Sequence, residues 1–355
     1  SLGRERETIG ARVAFGDNPY VPQDDYILSP AFAFIRLEAP ADAIAEAAAV
    51  LGNHLGGGAV TDGSLDEARS SLMGELGMRS GSPFYMMRSS MMKALFGEHP
   101  FAAPLFPPPP AMAGATADRL RALRERLFSR GNAVATIVSP FEDSEALSIA
   151  ARLIERLPIG PAIECPALPD SARPLAVEKK IRKEGAYLAA GWLVRTASPR
   201  ATAAVMVSGE ILGRRMQLEL REKRGLAYTI DCSVSPIPGG AVVMAYLGTG
   251  AARLDEARSS LEAEVRALCS RPPGDDEIAT AKSRLLGKRS RSELSSVNRA
   301  YSLGLDILLG GSAPPASMAS AIAEASAADI KAAIARSLVW ERAIELHLVP
   351  EKRSP

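Results

Sequence analysis

An internal repeat at an offset of 210 residues constrains the fold most. The segment 32–51, FAFIRLEAPADAIAEAAAVL, matches 242–261, VVMAYLGTGAARLDEARSSL. The segment 116–140 matches 326–350, and both contain a Thr or Ser N-cap, an amphipathic helix and a closing strand. The pattern therefore predicts two copies of one α/β unit.

The two copies are unequal. Subtracting the offset from the first strand and helix of the second copy gives positions at or before residue 1, so the first copy is predicted to lack its opening elements. A proline-rich stretch, LPIGPAIECPALPDSARP, is typical of a linker. We predict a first half-repeat over 1–156, a linker over 157–174 and a complete second half-repeat over 175–355.

Composition and charge exclude several classes of protein. Forty-two Lys and Arg against 41 Asp and Glu give a net charge of +1, without the basic patch of a nucleic-acid-binding protein. The three cysteines have no CxxC spacing, and no apolar stretch approaches the roughly 18 residues of a membrane span. We expect a soluble protein; a cytoplasmic location is favoured and a periplasmic one stays open.

The stretch LELREKRGLAY, residues 218–228, places Arg221 in the last turn of a predicted helix and Tyr228 seven residues later. Gly225 allows the left-handed turn that ends the helix, which brings Tyr228 near the helix end that carries Arg221. The two side chains would then form a pair of hydrogen-bond donors. The alternative is that Tyr228 shares a core-facing strand face with Ile230, while Arg221 only complements the helix dipole.

A methionine-rich stretch, FYMMRSSMMKALF, occupies residues 84–96. Methionine adapts to varied partners, so the stretch is a candidate lining for a peptide-binding cavity. Core packing of a helix on a sheet is the favoured interpretation, because methionine is usually buried.

The sequence resembles the pitrilysin or insulysin-type metallopeptidases, the inverzincins, and within them the short bacterial branch that is similar to the mitochondrial processing peptidase. The resemblance rests on LREKRGLAYTI and on LDEARSSLMGELGMRSGSP followed by ALFGEHPFAAPLF. It implies an α+β fold of two homologous halves, each with helices packed on a mostly antiparallel sheet. It also implies that Arg221 and Tyr228 assist a zinc site of the other half, and that Glu75 stands at the position of the third zinc ligand.

The zinc signature HxxEH of that family does not occur in the chain. The only histidines are His54, His99 and His347, and none has another His or a Glu at ligand spacing. A catalytic zinc needs three protein ligands, so Glu75 alone does not hold one and is expected to be a solvated helical carboxylate. We predict no metal and no other cofactor in this chain, with zinc on a partner or in a missing N-terminal segment.

Three hypotheses for function follow from the resemblance. In the first, the chain is a zinc-free subunit that brings Arg221 and Tyr228 to an HxxEH-containing peptidase subunit, in a hetero-oligomer or a homodimer, and helps to bind a peptide substrate. In the second, the chain is a fragment of a zinc peptidase whose HxxEH helix would lie just before Ser1. In the third, it is a non-catalytic structural or scaffolding module of the same fold.

Overall fold

The computed structural model describes residues 10–15, 31–104, 107–170, 175–310 and 317–351. They form two compact units. Unit 1 takes its residues from Ser1–Met78, Leu105–Cys165 and Ser290–Leu308, and unit 2 from Arg79–Pro104, Pro166–Arg289 and Leu309–Pro355. The chain passes from unit 1 to unit 2 after Met78, after Cys165 and after Leu308, and the second of these passages lies inside the proline-rich stretch. The division at 1–156, 157–174 and 175–355 stays a prediction.

Seven strands and twelve α-helices occur in the described residues. The strands are β1 (Arg12–Phe15), β2 (Ile35–Glu38), β3 (Leu175–Ile181), β4 (Gly185–Arg195), β5 (Thr229–Ile237), β6 (Gly240–Gly250) and β7 (Ile344–Pro350). The helices are α1 (Ile44–Gly57), α2 (Asp62–Ser80), α3 (Pro83–Phe96), α4 (Pro109–Ala113), α5 (Ala117–Leu127), α6 (Asp143–Ile154), α7 (Pro199–Met216), α8 (Leu254–Ser270), α9 (Asp275–Ser292), α10 (Ser296–Gly310), α11 (Met318–Glu324) and α12 (Ala327–Ser337). None of these helices combines the length and the apolar character needed to cross a membrane.

Unit 2 is built on a five-stranded sheet in the order β3-β7-β4-β6-β5. Only β3 and β7 are parallel, and every other neighbouring pair is antiparallel. One sheet face carries Leu188, Trp192, Val243 and Leu247, which are buried with residues of α7, α8, α11 and α12 in the core. The predicted α+β fold with a mostly antiparallel sheet is confirmed.

Helix α3 packs on unit 2's sheet, against β4 and β7. Met87 and Met91 of this helix are each only 1% exposed. Gly191 of β4 makes room for Met91, since a Cβ there would lie 2.2 Å from the Sδ of Met91. The methionines at these two positions are therefore core residues, as the favoured interpretation of the stretch predicts.

Unit 1 contains a two-stranded antiparallel sheet, β1-β2, and the helix pair α1 and α6. The Thr116 hydroxyl caps α5 by accepting a hydrogen bond from the Arg119 N–H (3.3 Å), as the sequence predicts. The strand expected after α5 does not form: residues 133–139 have no strand pairing. Pairing requires a neighbouring strand, and none of the described residues supplies one.

Element boundaries recur at the offset of the predicted repeat. Helix α1 starts at 44 and α8 at 254; α5 starts at 117 and α12 at 327. The 3₁₀ turn Arg130–Asn132 recurs as Trp340–Arg342. These coincidences support the predicted repeat, which was drawn from sequence alone.

Candidate functional site

The segment that carries Arg221 is a rare π-helical turn. Helix α7 ends at Met216, and the chain continues directly as a π-helical turn over Gln217–Lys223. Gly225 then takes a left-handed conformation with φ 57°, and the Leu226 N–H donates to the Leu220 carbonyl (2.8 Å). Leu220 and Leu226 are both buried, so the turn is anchored in the core while Arg221 remains exposed. Isolated π-helical turns occur frequently at functional sites.

The neighbouring cations differ from Arg221 in having side-chain partners. Lys223 pairs with Glu219, and the Arg224 Nη1 donates to the Ser260 hydroxyl (3.0 Å). The Arg221 guanidinium has no hydrogen-bond or ion-pair partner in the described part of the chain. Its charge therefore remains available for an outside group.

The helix end is capped by a residue that the sequence analysis missed. Arg253, at the start of α8, donates from Nη1 to the Gly225 carbonyl (2.9 Å) and from Nη2 to the Arg224 carbonyl (3.3 Å). Glu256 in turn holds the Arg253 Nε at 3.1 Å. Cations next to the last carbonyls of a helix are favourable, and Arg253 fills that role. This weakens the alternative in which Arg221 only complements the helix dipole. No local sequence pattern links residues 28 positions apart.

Tyr228 lies immediately before β5, one of the two edge strands of the sheet. The residue is 83% exposed, whereas Ile230 and Cys232 are each 8% exposed. The Tyr228 N–H donates to the Gly248 carbonyl (3.0 Å), which holds the backbone against β6. The core-facing alternative for Tyr228 is wrong, because this residue precedes β5 and the alternation of the strand does not extend to it. Among the described residues, the phenol has no partner.

An aromatic face lies on the same sheet, on the side opposite the core. It consists of Phe84, Tyr187 and Tyr246. The Phe84 and Tyr246 ring centroids are 5.3 Å apart, and a Cβ on Gly248 would lie 2.9 Å from the Tyr187 ring. Burial, and then the charge of Asp231 across the strand pair, raises the pKa of Tyr246 to about 12. No local sequence pattern predicts this face, because strand pairing brings its residues together.

The described residues do not fit a zinc ion. No three side chains of His, Cys, Asp or Glu within them gather closely enough to hold a metal. His54 bonds to a carbonyl of its own helix (2.9 Å), His99 accepts an N–H two residues further on (3.1 Å), and His347 faces a carboxylate of its own strand (3.6 Å). Glu75 is half-buried on α2. The absence of metal and cofactor stays a prediction.

Solved structures with the same fold include a peptidase M16 inactive domain and two bacterial proteases. An M16 inactive domain from Pseudomonas fluorescens has a TM-score of 0.84 at 20% identity, over 100% of this chain and 84% of that chain. A protease from Helicobacter pylori has a TM-score of 0.81 at 12% identity, over 98% and 84%. The periplasmic protease PqqL from Escherichia coli has a TM-score of 0.72 at 11% identity, and the match covers 99% of this chain but 38% of the protease.

The fold is that of an M16-type, metallopeptidase-like protein. Residues 114–285 match the model of the peptidase M16 inactive domain, and this segment belongs to that family. The resemblance to the pitrilysin-type peptidases is thereby confirmed. No curated protein is significantly similar to the chain in sequence.

Proposed function

We propose that the chain is a zinc-free M16 subunit that supplies Arg221 and Tyr228 to a peptide bound in the active site of an HxxEH-bearing partner. The observation that carries the proposal is that these two donors are both exposed and have no partner in the described residues. The backbone of each residue is hydrogen-bonded, Arg221 to Gly225 and Tyr228 to Gly248, while the polar side-chain atoms have no partner in the described residues. The partner and the peptide are both inferred.

The chemistry of peptide hydrolysis suits such a pair. Attack on a peptide carbonyl develops negative charge on its oxygen, and a preorganised donor aimed at that oxygen contributes roughly 3 to 4 kcal/mol. A guanidinium stays charged at any working pH and offers forked donors, and a phenol adds a neutral donor. The zinc that activates water would belong to the partner.

Local anchoring explains how an exposed pair is held in place. On the Arg221 side, Leu220 and Leu226 are buried and Arg253 holds the carbonyls of the turn. On the Tyr228 side, the backbone is hydrogen-bonded to β6. Rigid support of this kind lowers the cost of orienting donors toward a developing charge.

Co-purification followed by reconstitution tests the proposal. The tagged chain is isolated from its native host, the HxxEH-bearing protein that accompanies it is identified, and the two are reconstituted with zinc. Cleavage of a fluorogenic peptide library is then measured for the wild-type pair and for Arg221→Ala. Loss of one such donor should lower the cleavage rate about 100-fold or more.

Arg214→Ala is the matched control, because Arg214 is an exposed arginine on the preceding helix α7 whose side chain has no hydrogen-bond or ion-pair partner in the described residues. It should leave cleavage unchanged. If Arg221→Ala cleaves as well as wild type, the chain acts as a structural module, and the proposal fails. It also fails if no HxxEH-bearing protein accompanies the chain.

A further inference from the structure

An acidic residue borders the aromatic face of unit 2. Asp231 of β5 lies directly opposite Tyr246 of β6, a position at which the two Cβ atoms are about 4.5–5.5 Å apart. Tyr187 of β4 lies opposite Gly248, two residues along β6 from Tyr246, so the two tyrosines are diagonal neighbours on the same side of the sheet. Three aromatic rings and one carboxylate are thereby brought together on one surface.

The carboxylate of Asp231 keeps a negative charge that the chain does not pair. Its Oδ1 accepts a hydrogen bond from the Cys232 N–H (2.8 Å). Its second oxygen has no hydrogen-bond or ion-pair partner in the described residues, and Asp231 is exposed. Burial first, and then this charge, raises the pKa of Tyr246 to about 12. The negative charge therefore acts on the aromatic face.

The rings of the aromatic face are accessible and carry no cation of their own. Phe84 is 43% exposed, and Tyr187 and Tyr246 are half-buried. Neither phenol has a hydrogen-bond partner within the described ranges. Two arginines lie over rings elsewhere in those ranges, but none lies over the three rings of this face. The surface is thus open to a cation from another molecule.

We propose that the aromatic face and Asp231 form a site for one arginine or lysine side chain of a bound polypeptide. Aromatic rings attract a cation that lies within about 6 Å of the ring centroid, and a carboxylate beside them adds a charge-assisted hydrogen bond. Arginine fits best, because its planar guanidinium stacks on a ring while its N–H groups donate to a carboxylate. An apolar side chain would contact the rings and leave the charge of Asp231 unpaired.

The site lies next to one member of the proposed donor pair. The Tyr228 N–H donates to the Gly248 carbonyl (3.0 Å), and the Tyr187 ring fills the space above Gly248 on the aromatic face. A peptide whose carbonyl reaches Tyr228 therefore passes close to the site. As a determinant of substrate choice the site rests on the proposed function, and it would favour peptides with an arginine near the cleaved bond. Binding of the basic side chain itself needs no catalytic partner.

The probe is a short glycine–alanine peptide with one central arginine, labelled with fluorescein. Its matched control has citrulline at the same place, which keeps the shape of arginine and removes the charge. Binding of each peptide to the full 355-residue chain at low salt is measured by fluorescence anisotropy. We expect the arginine peptide to bind at least tenfold more tightly than the citrulline peptide, with a lysine peptide between the two.

Substitutions in the chain locate the binding. Asp231→Asn keeps the shape of the side chain and an oxygen that accepts the Cys232 N–H, and it should bring the two peptides within about twofold of each other. Tyr246→Leu should weaken binding of the arginine peptide at least fivefold. Asp276→Asn is the control, because Asp276 is an exposed carboxylate at the start of α9, in the same unit, without a partner in the described residues. It should leave binding unchanged.

Two results overturn the inference. One is equal binding of the arginine and citrulline peptides to the wild-type chain, which decides the question even if Tyr246→Leu fails to fold. The other is a preference for arginine that survives in Asp231→Asn. If no HxxEH-bearing partner is found while the arginine preference depends on Asp231, the proposed function fails and the binding site stands. If a reconstituted pair cleaves arginine and citrulline peptides equally well, the role of the site in substrate choice is wrong.

Discussion

The Arg221 guanidinium, which has no polar partner in the part of the chain that the structure describes, lies beside cations that have partners. An exposed ion pair such as Lys223–Glu219 contributes only about 0–1 kcal/mol to stability. Arg253 holds two main-chain carbonyls at the end of the π-helical turn and has a clearer structural role. The stabilising hydrogen bonds and the proposed function thus belong to different arginines, Arg253 and Arg221.

Substituting these two arginines should separate the roles. Arg221→Ala should leave the free energy of unfolding within about 0.5 kcal/mol of wild type, because the exposed guanidinium has no hydrogen-bond or ion-pair partner in the described residues. Arg253→Ala should lower it by about 1 kcal/mol through loss of the hydrogen bonds to Gly225 and Arg224. Urea unfolding followed by circular dichroism measures both. Equal destabilisation by the two substitutions would show that Arg221 has a structural contact.

Gly225 supports a prediction about the turn itself. A Cβ at this position meets no atom within 4 Å, but φ is 57°, a region that costs a residue with a side chain about 1–2 kcal/mol. Gly225→Ala should therefore destabilise the protein by that amount. Gly287→Ala in α9 also meets no atom, and there it should stabilise the protein by about 0.5–1 kcal/mol because φ is not positive. Thermal unfolding of both variants should show shifts of opposite sign.

The helices follow from local signals, and α12 shows this at its start. Ser326 and Asp329 form a capping box, and Arg200 also donates to the Asp329 carboxylate (2.9 Å). The Ser326 hydroxyl and N–H, then Arg200, lower the pKa of Asp329 from 3.8 to about 2. A carboxylate with a lowered pKa stabilises the fold above the unfolded value and loses this contribution as pH falls toward 2.

Asp329→Asn should therefore have a pH-dependent effect. Relative to wild type, the variant should be less stable above about pH 4, and the difference should shrink steadily as pH falls from 4 to 2. Urea midpoints measured for both proteins between pH 2 and 6 give the difference. A constant difference across this range would mean that the carboxylate charge has no part in the cap.

The packing of α3 leads to a prediction about methionine. Met91→Ala should cost about 2–5 kcal/mol, because Met91 is 1% exposed and fills the space above Gly191. Met73→Ala in α2 is the control; Met73 is 44% exposed, so the change should be within about 0.5 kcal/mol. Chemical unfolding measures both. Similar costs for the two substitutions would contradict the core role of α3.

Local patterns predicted some elements and missed others for a physical reason. The caps Thr116 and Ser326 were predicted because a cap depends on residues within one turn. The strand at 133–139 was predicted from its apolar residues, but a strand needs a partner that the sequence pattern does not reveal. The local pattern likewise left open a core-facing position for Tyr228, because the exposure of this residue depends on where the paired ladder begins.

At the scale of the whole molecule, the predicted repeat relates two units of different content. Unit 2 has a five-stranded sheet, and the described residues of unit 1 have two paired strands. The match to the M16 inactive domain spans residues 114–285, across the predicted linker. The family could be recognised from the sequence because the motif around Arg221 is local. The placement of α3 in unit 2 could not, because it depends on contacts distant in sequence.

The kinetics of a reconstituted pair with Tyr228→Phe test the central claim most directly. The substitution removes only the phenol oxygen from a residue that is 83% exposed. An interaction made only in the transition state lowers kcat and kcat/KM equally, so we expect both to fall about 100-fold while KM and the mass of the assembled pair stay the same. An unchanged kcat, or a pair that no longer assembles, would contradict the account.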